Sequence, residues 1–229
     1  MTRVKRIGIL GGMGPESTTE FYNLLLKKYY RMFHNYAYPE IVIFSVNFEK
    51  MIKLQESGNK KRYAQELMKG IRRLENAGAD FAVIASNTPH LVFEQLQRKS
   101  SIPLLSMVQS TAQKAKRHKM SKVLLLGTRF TMESSFYKDD FKKLGIQVIV
   151  PSKTEQDMIN NIIYKELVLG VVKKESKKRV LKIIKDYVVD GVILGCTELP
   201  IILTPQDTKV ALLNTVEIHV EATLDYALR

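Results

Sequence analysis

Short apolar runs of strand length alternate along this chain with longer amphipathic segments, and that alternation restricts the fold more than any other feature. The runs are Arg6 to Leu10, Ile41 to Val46, Phe81 to Ala85, Leu104 to Leu105, Lys122 to Leu126, Gln147 to Val150, Val192 to Leu194 and Val210 to Leu212. Strands recurring in this way, with helical segments between them, read as βα units around a parallel sheet. Phe21, Leu24, Leu25, Tyr29 and Met32 recur at helical spacing and predict a buried stripe on the first helix. Pro15 opens that helix at a position where its missing N–H costs nothing.

The alternation also occurs twice. The run from Ile7 to Gly11 is echoed 116 residues later by Val123 to Gly127, and Ser86 is echoed 110 residues later by Cys196. The fold class expected is α/β, with two related domains, parallel-type sheets flanked by helices, and the active site between them. The first domain would comprise residues 1–103 plus 210–229, and the second residues 104–209. Asn214 and Glu217 are spaced as a capping pair, and Ile218, Ala222 and Tyr226 for one helical face. That last helix is expected to return to the first domain. Ligands of open parallel sheets bind beyond the carboxyl ends of the strands. The polar signatures Gly11 to Ser17, Asn47, Ser86 to His90, Gly127 to Thr131 and Cys196 to Glu198 all fall at such ends, which favours one shared site.

Composition narrows the partners. At 229 residues and 45% hydrophobic, the chain has ample side chains for real cores. Its net charge of +13 invites a nucleic-acid reading, but the densest runs, Lys60 to Arg62, Lys114 to Lys122 and Lys173 to Lys185, lie on polar faces of helical segments. No strip of basic residues interleaved with aromatics emerges, so neither nucleic acid nor, in the absence of a long apolar stretch, membrane is expected as a partner. One cysteine excludes an intrachain disulfide, and the few apolar residues before Gly11 are too few for a signal peptide. A cytoplasmic protein is expected.

The motifs carry particular chemistry. Gly11-Gly12-Met13-Gly14-Pro15 resembles half of a dinucleotide fingerprint, but Ser17 replaces the last glycine and Val46-Asn47 stand where an acidic residue would end the second strand. A loop that grips a small carboxylate fits better. Cys196 precedes a helix start at Thr197-Glu198-Leu199-Pro200, and a helix N-terminus is expected to lower its pKa and suit it as a base. Ser86 needs help from a neighbour to act as a base, with Asn87, Thr88 and His90 the local candidates. No Gly-x-Ser-x-Gly elbow is present, and His34, His90, His118 and His219 show no metal-ligand spacing, so no metal is expected.

Taken together, Gly11 to Thr18, Ser86 to His90, Gly127 to Met132 and Gly195 to Glu198 resemble the aspartate/glutamate racemase family, as do Tyr137, Val150-Pro151, Glu155-Gln156, Ile162 to Tyr164, Ile218-His219 and Asp225 to Leu228. The resemblance implies a cofactor-independent isomerase of two α/β domains, commonly a homodimer. Two residues facing each other across the substrate would exchange its Cα proton. Many members use two cysteines; here the positions hold Ser86 and Cys196, closest to a subgroup with a hydroxyl residue first. By the same resemblance Met13, Asn87, Thr88, Thr128, Thr131 and Thr197 bind an aspartate or glutamate substrate. Gln55 and Lys173 would hold its distal carboxylate, with Glu198 and His90 in support. Other one-thiol chemistry of the superfamily, decarboxylation or isomerisation, stays open as an alternative, as does an impaired amino-acid-binding homologue.

Overall fold

The computed structural model describes residues 3–229. They form two compact units, one of residues 3–107 with His219–Arg229 and one of Val108–Ile218. The return to the first unit thus falls nine residues later than position 210, because the last strand hydrogen-bonds into the second sheet.

In the first unit the strands β1 (Ile7–Gly11), β2 (Ile41–Ser45), β3 (Phe81–Ile84) and β4 (Leu104–Leu105) form an all-parallel sheet in the order β2-β1-β3-β4. Its helices are α1 (Pro15–Phe33), α2 (Phe48–Glu56), α3 (Lys60–Asn76), α4 (Phe93–Lys99) and the start of α5 (Met107–Arg117). The second unit repeats the plan. Its strands β5 (Lys122–Leu126), β6 (Gln147–Ile149), β7 (Gly191–Leu194) and β8 (Ala211–Asn214) are parallel in the order β6-β5-β7-β8. Around them run α6 (Arg129–Glu133), α7 (Phe136–Lys142), α8 (Lys153–Lys165), α9 (Lys174–Asp186), α10 (Leu199–Ile202) and α11 (Thr215–Ala227). Strand for strand, the second order is the first advanced by four, the topology expected of a duplicated half.

A matched pair of aspartates anchors both sheets. The Asp80 carboxylate accepts the Arg6 N–H at 2.6 Å just ahead of β1, while Asp190 accepts the N–H groups of Ser121 and Lys122 at 2.7 and 2.9 Å just ahead of β5. Those backbone donors hold the Asp190 carboxyl below its ordinary range. Like Ser86 and Cys196, the two aspartates are 110 residues apart.

Burial follows the side-chain periods. The central strands are buried on both faces, as parallel strands flanked by helices must be. Helix α3 turns Tyr63, Leu67, Ile71 and Leu74 toward Leu10 and Ile84, each such side chain contributing about 1.5–3 kcal/mol of apolar burial. On α1 the stripe is Phe21, Leu25 and Tyr29, with Leu24 half-buried; Met32, in the last turn of the helix, is exposed. Asn214 caps α11 by accepting the Val216 N–H at 3.1 Å, and Phe81 and Phe21 receive Tyr226 and His219 from the same helix.

His219 is fully buried and neither ring nitrogen has a hydrogen-bond partner among the described residues. Burial, then the neighbouring His90, lowers its pKa to about 3, and burial lowers that of His90 to about 4. Both rings are therefore neutral in the folded chain, whereas an unfolded histidine titrates near about 6.5. The unfolded state binds more protons below that value, so stability is lost as pH falls from there toward the folded pKa values, at about 1.4 kcal/mol per pH unit for each ring. Native carboxylates lose their contribution only at lower pH, below about 4. Thermal midpoints recorded between about pH 7 and about pH 5 should fall less steeply in His219→Leu than in the wild type. Equal slopes would refute the assignment of a buried neutral ring.

Candidate active site

Ser86 and Cys196 each stand two residues beyond the end of the third strand of their sheet, Ser86 after β3 and Cys196 after β7. In the first unit β3 runs beside β1, so the loop carrying Met13 emerges next to the one carrying Ser86. Gly12 makes the first loop possible: its φ is +88°, and a Cβ there would come within 2.7 Å of the Val46 backbone. Its N–H donates to Thr18 Oγ1 at 2.8 Å, and a Cβ on Gly11 would strike the same threonine. Thr18 closes the Gly11 to Thr18 motif but is not among the expected site residues, although its place one turn into a helix behind a glycine loop is a usable signal. Met13 is buried beside this turn.

Ser86 and Asn87 are buried, and Thr88 begins a 3-10 turn over Thr88–Val92. His90 is held on every side. Its Nδ1 lies 3.1 Å from the carbonyl oxygens of both Ser86 and Asn87, its Nε2 accepts the Met107 N–H at 2.9 Å, and its ring stacks on Phe93. Carbonyls only accept, so Nδ1 carries the proton and Nε2 does not. His90 thus braces the backbone of Ser86 and does not reach its hydroxyl. That hydroxyl makes no hydrogen bond to another side chain among the described residues. Gln55, half-buried on α2, lies on a different element from this group. An open cleft between α2 and α3 is lined by Asn47, Lys50, Lys53, Leu54 and Arg62; it takes in Asn47 of the strand-end signatures but none of the expected catalytic or substrate-binding residues.

In the second unit, β7 ends beside β5, bringing Cys196 and Thr197 into the neighbourhood of Thr128 and Thr131. Thr128 caps α6, its Oγ1 3.1 Å from that of the buried Thr131, and Thr131 lies so close to Gly195 that a Cβ there would meet its methyl at 3.4 Å. Behind the strand, buried Tyr137 hydrogen-bonds to Thr215, whose Oγ1 donates to the Leu194 carbonyl at 2.9 Å. This pair fixes the strand end that delivers Cys196. Lys173 is exposed just ahead of α9 and reaches Glu166 at 3.4 Å.

The thiol of Cys196 differs from expectation. It donates to Glu198 Oε2 at 2.9 Å, and burial, the Glu198 charge and this hydrogen bond together push its pKa well above the ordinary value. The backbone N–H groups of Glu198 and Thr197 pull downward as the helix-start argument requires, but they are the smaller influence. A thiol 9% exposed with a carboxylate against it ionises less readily than a free one. Among the described residues no three His, Cys, Asp or Glu side chains cluster to hold a metal ion, and no helix is long and apolar enough to cross a membrane.

The profile of the family described as Asp/Glu/Hydantoin racemase matches residues 10–223. The chain belongs to that family. A broad-specificity amino-acid racemase of Bacillus subtilis (strain 168) is 32% identical over 162 residues, 69% of each chain. The solved structure of an aspartate racemase homologue from Pyrococcus horikoshii superposes with a TM-score of 0.89 at 36% identity, covering 98% of this chain and all of the other. An aspartate racemase from Picrophilus torridus gives 0.78 at 25% identity, covering 97% of this chain and 94% of that one. The two parallel four-stranded sheets flanked by helices are the α/β architecture of these family members.

Proposed function

We propose that this protein is a cofactor-independent racemase of an acidic amino acid, aspartate or glutamate, in which Cys196 and Ser86 exchange the Cα proton. The observation that carries the reading is their equivalence: each follows the third strand of one of two sheets with the same order. A two-base inversion needs one proton-transfer group for each face of a planar carbanion, and a duplicated fold supplies such groups in pairs. Backbone donors at the strand ends, with Asn87, Thr88, Thr128, Thr131 and Thr197, would hold the α-carboxylate as it takes on enediolate charge. Gln55 and Lys173 are the proposed contacts for the distal carboxylate. The racemases named among its relatives support this substrate class. A homodimeric, cytoplasmic protein is part of the same reading, and light scattering checks the first.

A second reading, one-thiol decarboxylation or isomerisation, is favoured by one observation: among the described residues the Ser86 hydroxyl has no side-chain partner to activate it. Proton NMR of the L and D forms of aspartate and glutamate in deuterated water, with chiral analysis of the product, separates the two. Loss of the Cα signal with inversion supports racemisation. Absence of any exchange with all four would remove it in favour of the alternative.

A further inference from the structure

The buried stripe of α1 ends at Tyr29, and the residues beyond it face solvent although most are aromatic or apolar. Tyr30, Met32, Phe33 and Tyr36 all lie exposed, Tyr36 at 79%. The way the helix stops groups them. His34 closes α1 in the left-handed conformation with its N–H on the Tyr30 carbonyl at 2.8 Å, and the chain folds back so that Tyr36 stacks on Tyr30, ring centroids 5.7 Å apart. Tyr38 meets Tyr36 edge-on and completes a groove of about 390 Å³ lined by Leu26, Lys27, Tyr30, Arg31, Tyr36 and Tyr38. Among the described residues no carboxylate lines this groove, and neither Lys27 nor Arg31 forms an ion pair, whereas Lys28 between them holds Glu221 at 2.6 Å.

A contiguous exposed patch of aromatic and apolar side chains rimmed by cations marks a contact surface. The residues separate its three candidate occupants. A second copy packed on the groove would set Lys27 and Arg31 against another such pair, with no acid in the groove to relieve them. A single-stranded nucleic acid suits the stacked tyrosines and the cations, but Met32 has no ring for a base to stack on. An anionic bilayer accepts every one of these groups: tyrosine rings at headgroup level, Met32 and Phe33 below them, and the cations on lipid phosphates. The net charge of +13 favours the same partner. We infer that the end of α1 and the turn into β2 dock this protein on the surface of an anionic lipid bilayer. Contact at the interface needs no spanning helix. The patch lies where β2 begins, at the edge of the first sheet opposite the strand ends that carry Met13 and Ser86, so variants of the patch should keep wild-type turnover.

The chain has no tryptophan, so Tyr36→Trp supplies the only indole signal and reads the groove directly. Its emission is to be followed on the full chain with vesicles of phosphatidylcholine alone, with vesicles of phosphatidylcholine and phosphatidylglycerol, and with a single-stranded oligonucleotide. A blue shift with the mixed vesicles, absent with phosphatidylcholine alone, is the expected result. Co-sedimentation then compares Lys27→Glu/Arg31→Glu with Lys60→Glu/Lys61→Glu, a pair that changes the net charge equally at the exposed start of α3. The first pair should weaken vesicle binding about twentyfold or more, each basic side chain near an anionic surface being worth about fivefold, and the second pair far less. Met32→Ser/Tyr36→Ser leaves the charge unaltered and should also weaken binding, circular dichroism verifying the fold of each variant. Equal losses from the two charge pairs would overturn the site, since attraction of the whole protein would then explain the binding. A shift with the oligonucleotide and none with vesicles would overturn the bilayer in favour of nucleic acid, and no shift with either would overturn the docking. Dissociation of a dimer by Met32→Ser/Tyr36→Ser, with vesicle binding unchanged, would assign the face to a second copy instead.

Discussion

Cys196→Ala should reduce racemisation of the preferred amino acid at least about a thousandfold in both directions, within the range that positioned acid–base groups supply. Loss in both directions is required because the same group takes the proton from one enantiomer and returns it to the other. The fold should survive. The thiol is buried, and the Glu198 carboxylate it donates to also accepts from Thr197, so the carboxylate keeps a donor when sulfur is removed. A truncation of one heavy atom should lower the thermal midpoint by a few degrees, in line with a loss of about 1 kcal/mol. Initial rates by chiral chromatography, with the melting curve on the same preparation, are the measurements. Wild-type turnover in the alanine variant would remove Cys196 from the chemistry under either reading of the function. Loss of turnover alone would not distinguish inversion from one-thiol decarboxylation.

The strands were legible because apolar runs bounded by glycine leave few alternatives, and each lies within a residue or two of its place in the structure. The duplication was legible for the same reason: Ile7 to Gly11 and Val123 to Gly127 must both pass through the middle of a sheet. Contacts made across the chain were not. Met32 fits the helical period of α1, but period alone does not say which turns of the helix are covered. The domain return after Ile218 depends on the pairing of β8 with β7, which no local pattern reveals. The thiol was misjudged because the helix start is local and visible in Thr197 to Pro200, whereas the depth of burial and the rotamer that turns Glu198 back onto sulfur are not. His90 shows the same limit, since its three backbone partners come from Ser86, Asn87 and the distant Met107.

Ser86→Ala should keep hydrogen exchange at Cα while losing inversion by about a hundredfold or more, because the thiol can take and return a proton on its own face. The asymmetry behind this is chemical. A serine hydroxyl is a far weaker acid than a thiol, and among the described residues Ser86 lacks the carboxylate partner that Cys196 has. Enantiomers have equal free energy in water, so kcat/KM must be equal in the two directions however unlike the two bases are. The inequality has to appear in kcat and KM separately, and in deuterium found in recovered substrate. A proton taken by Cys196 can scramble with solvent through Glu198, so one enantiomer should come back deuterated before it inverts. A proton taken by Ser86 has no carboxylate beside it among the described residues to speed exchange, so the other enantiomer should come back with less deuterium. Ser86→Cys should raise kcat in the slower direction about tenfold or more and narrow the difference in deuterium between the recovered enantiomers. If both directions slow equally with the fold intact, the hydroxyl is not the weak partner, and inversion on that face runs through some group other than Ser86.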